Sequence, residues 1–205
     1  MLLADAGGVE CGAFFELRHP LTDGGLRITR MSFTNRGLCA ALMICGFCDT
    51  AFGGEVAFDK MKQLVRRRFP QVAQLSTAEL AEWLQTKSRT QPILLDVRTA
   101  EEFRVSHLRG AILVDPAATP ADLVAVVRSG RPLITYCSVG YRSSAVAERL
   151  VKAGVPQVRN LEGSLFQWAN EGRALESDGK PAAKVHPYNA TYGKMLNEAK
   201  RASVK

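Results

Sequence analysis

Residues 136–144 form the sequence Tyr136-Cys137-Ser138-Val139-Gly140-Tyr141-Arg142-Ser143-Ser144. An apolar run, residues 132–135, precedes it, and a run with helical spacing of apolar residues, 145–151, follows it. This order predicts a strand, a glycine-containing loop and an amphipathic helix. Cys137 would then lie at a helix N-terminus, where backbone N–H groups and the helix dipole favour an anion such as a thiolate. We therefore interpret Cys137 as a nucleophile, with Arg142 adding a positive charge to the same pocket.

A cysteine after a buried strand can also be a small core residue that takes part in no chemistry. Gly140 and Arg142, together with the helix that begins directly after Ser143, favour the reactive interpretation. Glycine suits a loop that turns sharply with its amide groups pointing inward. Ligands of α/β sheets bind at the carboxyl ends of the strands, and Cys137 follows such an end.

Strands and helices alternate around this loop. Apolar runs predict strands over residues 93–97, 111–114, 133–136 and, more weakly, 157–161. Helices are predicted over residues 77–84, 100–105, 120–127 and 143–152. Ser76 with Glu79 and Thr99 with Glu102 have the spacing of capping boxes, and Gly154 ends the last helix. This alternation predicts an α/β layer fold with right-handed crossovers.

The cysteine loop resembles the active-site loop of the rhodanese (sulfurtransferase) family, in which a Cys and four variable residues, often including Gly, precede a closing residue. Two further signatures agree with this resemblance. They are residues 94–98 with 101–103 and 107–111, and residues 160–164 with Trp168. The resemblance covers about residues 74–175. It implies the rhodanese-like α/β fold, a parallel five-stranded sheet flanked by helices with the active-site loop at the carboxyl end of a strand.

The resemblance also implies a thiosulfate/persulfide sulfurtransferase. The Cys137 thiolate would take the outer sulfur of thiosulfate or of a persulfide and carry it as a persulfide, which a thiol or cyanide then removes. A covalent intermediate between two half-reactions predicts ping-pong kinetics. We expect no metal or organic cofactor, and we expect a small-molecule sulfur donor and a thiol acceptor, for which a protein thiol is an open alternative. The residues expected to bind the substrate and the persulfide are Ser138, Val139, Gly140, Tyr141, Arg142 and Ser143.

Several charged and polar residues of these signatures are expected to support the site rather than react. Asp96 and Arg98 lie near a strand end and are predicted to form a charged pair under the loop. Glu102 is interpreted as a capping acid or a partner of Arg98, and His107 as a structural histidine. Tyr141 would shape the mouth of the pocket.

The size of the loop separates sulfur transfer from a related chemistry. Cys137 to Arg142 is six residues, as in sulfur-transferring rhodaneses, whereas the related cell-cycle phosphatases have one residue more and can hold a phosphate. The sequence therefore disfavours a phosphatase-like or arsenate-reductase-like enzyme. Ser138 stands where thiosulfate-using members often have a basic residue, which weakens thiosulfate as the natural donor. A non-catalytic rhodanese module for partner binding or redox sensing remains a third hypothesis.

The chain has 27 Lys and Arg against 20 Asp and Glu, a formal net charge of +7. Much of the excess falls outside the predicted domain, in a basic linker over residues 61–73 and a basic C-terminal tail over 176–205. No nucleic-acid motif accompanies these charges, so we expect a solvated basic surface and no nucleic-acid partner. Within the tail, residues 185–189 form a small aromatic-bearing group that could pack on the domain.

Residues 1–60 are interpreted as an N-terminal extension. Residues 31 to about 53 have the anatomy of a secretory signal peptide, with an apolar run over 38–47. This run is too short for a stable membrane span. The sequence thus predicts an exported, periplasmic protein if translation starts at Met31, and a cytoplasmic one otherwise.

Four of the five cysteines lie in the first fifty residues: Cys11, Cys39, Cys45 and Cys48. Cys45-x-x-Cys48 has the spacing of a redox or metal motif, but no second pair or histidine lies near it, so we assign it no function. Cleavage of the signal peptide after Gly53 would leave Cys137 as the sole thiol. The accepting thiol must then come from a partner or a small molecule.

Overall fold

The computed structural model describes residues 15–20, 26–31, 49–123 and 128–204, and the chain divides into two compact units, residues 1–47 and 48–205. In the first unit, β1 (Phe15–Pro20) and β2 (Leu26–Met31) form an antiparallel pair. The predicted signal peptide lies mostly outside the described residues, as do the four N-terminal cysteines. It therefore stays a prediction. None of the described helices is long and apolar enough to cross a membrane.

The second unit is built on a five-stranded parallel sheet, as predicted. Its strands are β3 (Ala73–Leu75), β4 (Ile93–Asp96), β5 (Ile112–Leu113), β6 (Leu133–Tyr136) and β7 (Val158–Leu161). Their order across the sheet is β3-β7-β6-β4-β5. β6 thus lies at the centre, and the residues that follow it leave the middle of the carboxyl edge.

Five helices accompany the sheet: α1 (Asp49–Arg68), α2 (Thr77–Gln85), α3 (Ala100–Val105), α4 (Tyr141–Lys152) and α5 (Ser164–Asn170). Both predicted capping boxes are present, at Ser76 with Glu79 and at Thr99 with Glu102. α4 begins two residues earlier than predicted, because Gly140 occupies its N-cap position. Of the helix predicted over residues 120–127, residues 121–123 form a turn and 124–127 lie outside the described residues.

The core is divided between the two faces of the sheet, because successive residues of a strand point to opposite sides. In β6, Ile134 and Tyr136 belong to one cluster, with Leu80 of α2 and Phe166 of α5. Leu133 belongs to the other cluster, with residues of α1 and α4. Helices on both sides explain why the central strands are continuous apolar runs rather than alternating ones.

The first part of the predicted basic linker, residues 61–73, is helical. Residues 61–68 continue α1, and Val65 is buried against the sheet. Phe58, Met61 and Val65 recur at helical spacing, so α1 has an apolar face that the basic residues between them concealed. Arg66 pairs with Glu162 at 2.7 Å.

The C-terminal tail is also more ordered than a solvated basic surface. A short antiparallel pair, β8 (Leu175–Ser177) and β9 (Lys180–Ala182), precedes the helical turn α6 (Ala190–Gly193). Val185, Met195 and Leu196 are buried in the domain core. The aromatic-bearing group at residues 185–189 therefore packs back on the domain, while Lys180, Lys184 and Lys194 are exposed.

Candidate active site

Cys137 lies in the turn between the central strand β6 and helix α4. Its side chain is buried, with 1% of the residue exposed. The N–H of Gly140 donates to Cys137 Sγ at 3.2 Å, and the first turn of the twelve-residue helix α4 follows directly. A backbone donor and the positive end of a helix dipole both favour the thiolate form of the sulfur.

Gly140 is required by the geometry of this turn. Its φ is +99°, in the left-handed region that glycine tolerates, and a Cβ there would lie 3.3 Å from Asn160 Nδ2. The same conformation aims the Gly140 N–H at the sulfur. The expectation of a sharp turn with an inward amide is confirmed at this position.

Helix α5 holds the turn from the other side. Ser164 Oγ accepts the N–H of Cys137 at 3.2 Å and donates to the carbonyl of Leu161 at 3.0 Å. The N–H groups of Leu165 and Phe166 donate to the carbonyls of Cys137 and Ser138. The backbone of the cysteine is thus fixed by hydrogen bonds from a second element, so its side chain has little freedom to move.

Ser143 connects the sulfur to a buried polar network. Its Oγ lies 3.5 Å from Cys137 Sγ and 2.6 Å from Asn160 Oδ1. Asn160 Nδ2 donates to Gln74 Oε1 and to the carbonyl of Leu161, so Oδ1 must accept. The Ser143 hydroxyl lies within hydrogen-bond distance of both acceptors, and its contact with Asn160 is the shorter one. Ser143 thus links the sulfur to the buried network.

Arg142 carries a positive charge beside Cys137, and the structure pairs that charge with a carboxylate. Its Nη1 and Nη2 donate to Glu102 at 2.9 and 2.8 Å, and Nη2 also donates to Ser138 Oγ at 3.0 Å. Glu102 also accepts from the N–H of Thr99, its capping contact, and from Ser138 Oγ. The capping role of Glu102 is confirmed, but its predicted partner Arg98 is wrong, because Arg98 binds a different carboxylate.

The pair shifts the ionisation of both partners. Burial alone would raise the pKa of Glu102, but hydrogen bonds from Arg142, Thr99 and Ser138 lower it to about 2. Burial likewise opposes the charge of Arg142, yet its contacts with Glu102 and its attraction to Cys137 raise its pKa above the ordinary value. At neutral pH both groups are charged, and they form an ion pair at the edge of the site.

Asp96 and Arg98 form an ion pair at the end of β4, next to β6. Arg98 Nε lies 2.9 Å from Asp96 Oδ1, Nη2 lies 2.7 Å from Oδ2, and both side chains are 0% exposed. Arg98 Nη2 also donates to the carbonyl of Ser106 at 2.6 Å. Burial lowers the pKa of Arg98, but Asp96 outweighs it and raises the pKa overall. This geometry fits a structural support. None of these hydrogen bonds involves Cys137 Sγ.

The comparisons with known proteins agree with this geometry. The sequence model of the rhodanese-like domain matches residues 76–171. The thiosulfate sulfurtransferase GlpE of Pseudomonas savastanoi pv. phaseolicola is 30% identical over 76 residues, which cover 37% of this chain and 71% of that protein. The chain belongs to the rhodanese-like domain family.

Other relatives carry rhodanese-like sequence within different proteins. The HTH-type transcriptional regulator Rv0324 of Mycobacterium tuberculosis is 30% identical over 102 residues, 49% of this chain and 44% of that protein. The chain spans only 21–64% of the length of three of the curated relatives that it matches. The BH2092 protein of Bacillus halodurans shares the fold, with a TM-score of 0.50 and 21% identity over 69% of this chain and 97% of that one.

Two residues of the site, Tyr188 and Tyr192, were not predicted from the sequence. A cavity of about 130 Å³ opens over Cys137, and Tyr188 and Tyr192 of the C-terminal segment line it. Both tyrosines follow the region that the rhodanese-like model matches. The loop residues on this cavity are Cys137, Ser138, Val139, Tyr141 and Arg142. Tyr141 thus lies at the pocket mouth, as expected, and the only sequence signal for Tyr188 was the aromatic-bearing group at residues 185–189.

A second cavity and the predicted structural histidine, His107, do not belong to the cavity over Cys137. A larger cavity, about 190 Å³, is lined by Trp83, Arg89 and Arg159 near the amino ends of the strands, on the far side from the cysteine. His107 stacks on Phe103, and its Nδ1 lies 3.0 Å from the carbonyl of the same residue, which fits its expected structural role. Among the described residues, no group of three His, Cys, Asp or Glu side chains could hold a metal ion.

Glu102 gives the rhodanese-like domain a measurable pH dependence. Its folded pKa of about 2 lies below the ordinary value of 4.5, so the ionised form stabilises the fold above pH 4.5, by about 3 kcal/mol. This contribution is lost as the pH falls from about 4.5 towards 2. We expect Glu102→Gln to lower the free energy of unfolding at neutral pH, with a difference from wild type that narrows across this window in urea titrations.

The matched control is Glu101→Gln, which changes an exposed carboxylate on the same helix. It should alter the free energy of unfolding little at any pH. A Glu102→Gln deficit that stays constant from neutral pH to about pH 3 would contradict the assigned ion pair, because below pH 4.5 the unfolded glutamate takes up a proton while the folded one, with its pKa of about 2, stays ionised, so the deficit must shrink.

Proposed function

We propose that the protein is a sulfurtransferase that moves a sulfane sulfur from thiosulfate or a persulfide donor to a thiol or cyanide acceptor through a Cys137 persulfide. The observation that carries the proposal is the position of Cys137 Sγ, 3.2 Å from the Gly140 N–H at the start of α4. A thiolate held by a backbone donor at a helix N-terminus is an activated nucleophile. Membership of the rhodanese-like family supports the same chemistry.

The reaction has two half-reactions with balanced bonds. In the first, the Cys137 thiolate attacks the outer sulfur of the donor and forms an S–S bond to it, while the donor's own S–S bond breaks and its electron pair leaves with sulfite or a thiolate. In the second, the acceptor thiolate or cyanide attacks the terminal sulfur of the persulfide. The S–S bond to Cys137 breaks, its electron pair returns to Cys137, and a new persulfide or thiocyanate is released. No external oxidant or reductant enters either step.

The residues around the sulfur have distinct roles in this proposal. The terminal sulfur of the persulfide carries negative charge, which inward-facing amides of the loop can stabilise. Gly140 supplies one such N–H to Sγ itself. Ser143 and Ser164 fix the position of the sulfur rather than react. The ion pair of Arg142 with Glu102 holds the far end of the loop.

Two other hypotheses make different use of the cysteine. A phosphatase-like or arsenate-reductase-like enzyme needs a wider loop and a guanidinium free to bind an oxyanion, whereas Arg142 is engaged by Glu102 and Ser138. A redox-sensing or binding module would oxidise Cys137 without transferring sulfur. Burial of the thiol, with 1% of the residue exposed, is compatible with that hypothesis, so turnover must be measured.

The full chain should convert thiosulfate and cyanide to thiocyanate with ping-pong kinetics. Because the donor product leaves before the acceptor binds, double-reciprocal plots at several cyanide concentrations should be parallel. Hydrolysis of p-nitrophenyl phosphate serves as the control reaction and should stay at the level of the buffer. Intersecting lines would contradict a free persulfide intermediate. Phosphate release without thiocyanate would favour the phosphatase-like alternative.

A further inference from the structure

The C-terminal segment contributes an aromatic wall to the cavity over Cys137. The Tyr188 ring lies 4.6 Å from the Arg142 guanidinium carbon, stacked as a cation–π contact. Tyr188 and Tyr192 meet edge to face, with ring centroids 5.6 Å apart. On the loop side, Tyr141 meets Phe69 edge to face at 5.3 Å. Three tyrosines thus surround the entrance to the sulfur.

This wall is fixed by the fold. Val185 is fully buried, and its backbone forms hydrogen bonds with the backbone of Lys200 and Ala202. Arg201 Nε donates to the carbonyl of Gly193 at 2.9 Å, and Asn170 Nδ2 donates to that of Met195 at 2.7 Å. These contacts hold the short helix that carries Tyr192 against the domain. The aromatic rings therefore form part of the site rather than a loose covering.

The backbone of Tyr188 is in an unusual conformation. Its φ is +63°, and its N–H donates to His186 Nδ1 at 3.0 Å. A bulky residue with positive φ is unfavourable and persists where the surrounding structure imposes it, which occurs most often at functional sites. The residue remains 44% exposed, so burial of the ring does not explain why the fold holds it over Arg142.

The charge of the cavity selects against a small, doubly charged donor. Arg142 is the one charged residue among those that line the cavity, and its guanidinium is paired with Glu102 and covered by Tyr188. The Ser138 hydroxyl donates to Glu102 at 2.9 Å. A dianion such as thiosulfate would lose more hydration here than a singly charged donor, without gaining an unpaired cation, which is unfavourable. A flat apolar group would instead contact the tyrosine rings.

We infer that Tyr188 and Tyr192 are specificity-determining residues that favour sulfane-sulfur donors with an aromatic group next to the reacting sulfur. The inference rests on the proposed sulfur transfer and assigns its substrate class. The cavity of about 130 Å³ is close to the roughly 150 Å³ of cavities known to hold benzene. The probe is benzenethiosulfonate. Attack by Cys137 on its outer sulfur forms the persulfide and releases benzenesulfinate, just as attack on thiosulfate releases sulfite.

The kinetic test compares benzenethiosulfonate with thiosulfate in the full chain, with cyanide as acceptor. The two donors differ in leaving group, so the informative quantity is the change in their kcat/KM ratio between variants. Tyr188→Ala should lower kcat/KM for benzenethiosulfonate about three- to tenfold more than it lowers kcat/KM for thiosulfate, mainly through KM. Tyr188→Phe should behave as wild type, because the ring and not the hydroxyl makes the contact. Equal effects of Tyr188→Ala on both donors would overturn the inference.

A binding test keeps the inference separate from the proposed function. In a Cys137→Ser background, which cannot form a persulfide, benzenesulfonate is an unreactive analogue of the donor. Calorimetry should show about three- to tenfold weaker binding when Tyr188→Ala or Tyr192→Ala is added. Val204→Ala, an exposed change in the same segment, is the control and should leave binding unchanged. Equal affinities in all these proteins would overturn the inference, whether or not the wild-type chain turns over.

Discussion

Cys137→Ser is expected to lower sulfur transfer by about a thousandfold or more, because it replaces the atom that carries the sulfur. Serine is nearly the same size, and the hydrogen bonds of the Cys137 backbone to Ser164 and Leu165 do not depend on the side chain. The variant should therefore fold as wild type does. The measurement is thiocyanate formation from benzenethiosulfonate and from thiosulfate, with circular dichroism and thermal unfolding to verify the fold.

The control for this experiment comes from the other cysteines of the chain. A variant in which Cys11, Cys39, Cys45 and Cys48 are all replaced by serine keeps Cys137 as its one thiol. It should retain the wild-type rate. If Cys137→Ser stays active while the fourfold variant loses activity, the sulfur passes through the N-terminal cysteines, and the assigned nucleophile is wrong.

Asp96→Asn is expected to destabilise the domain by about 3–5 kcal/mol, because it leaves the fully buried Arg98 without its counter-charge. The substitution conserves size, so the loss reports charge rather than packing. Arg98 would keep its hydrogen bond to the carbonyl of Ser106 but lose the charged contacts at 2.7 and 2.9 Å. Urea unfolding at neutral pH measures the free energy directly.

Two comparisons make this prediction specific. Glu148→Gln applies the same change to the pair of Glu148 with Lys152 on α4, where the lysine side chain is 59% exposed, and it should cost about 0.5 kcal/mol or less. The double variant Asp96→Asn with Arg98→Met removes both buried charges and should recover part of the stability. A loss at Asp96 no greater than the loss at Glu148 would show that the buried charge is compensated in another way.

The elements around the turn that contains Cys137 were predictable because neighbouring residues encode them. β6 and α3 occupy the predicted residues, since an apolar run and a capping box are encoded within a few consecutive side chains. Gly140 likewise indicated a sharp turn, and its φ in the structure is positive. Among the described residues, the long helix α1 was missed because it begins in a glycine-containing stretch and has Lys60 and Lys62 between the members of its apolar face.

The partners of these elements were not predictable, because they come from distant parts of the chain. Glu102 and Arg142 are forty residues apart, and no pattern in either segment predicts that it pairs with the other. The positive charge of Arg142 is evident from the sequence, but the carboxylate that pairs with it is not. Tyr188 reaches the site only because the segment after β9 folds back on the core through Val185 and Leu196. Apolar residues in a basic segment are weak evidence for such packing when read from sequence alone.

The central claim is that Cys137 carries sulfur as a persulfide, and intact-protein mass spectrometry tests it most directly. The fourfold cysteine-to-serine variant would be incubated with benzenethiosulfonate, freed of donor, and measured before and after addition of cyanide. The account predicts a mass increase of one sulfur atom on this variant, whose one thiol is Cys137, lost again as one equivalent of thiocyanate forms. An unchanged mass, or an increase by oxygen atoms that cyanide does not remove, would contradict sulfur transfer and favour a redox-sensing cysteine.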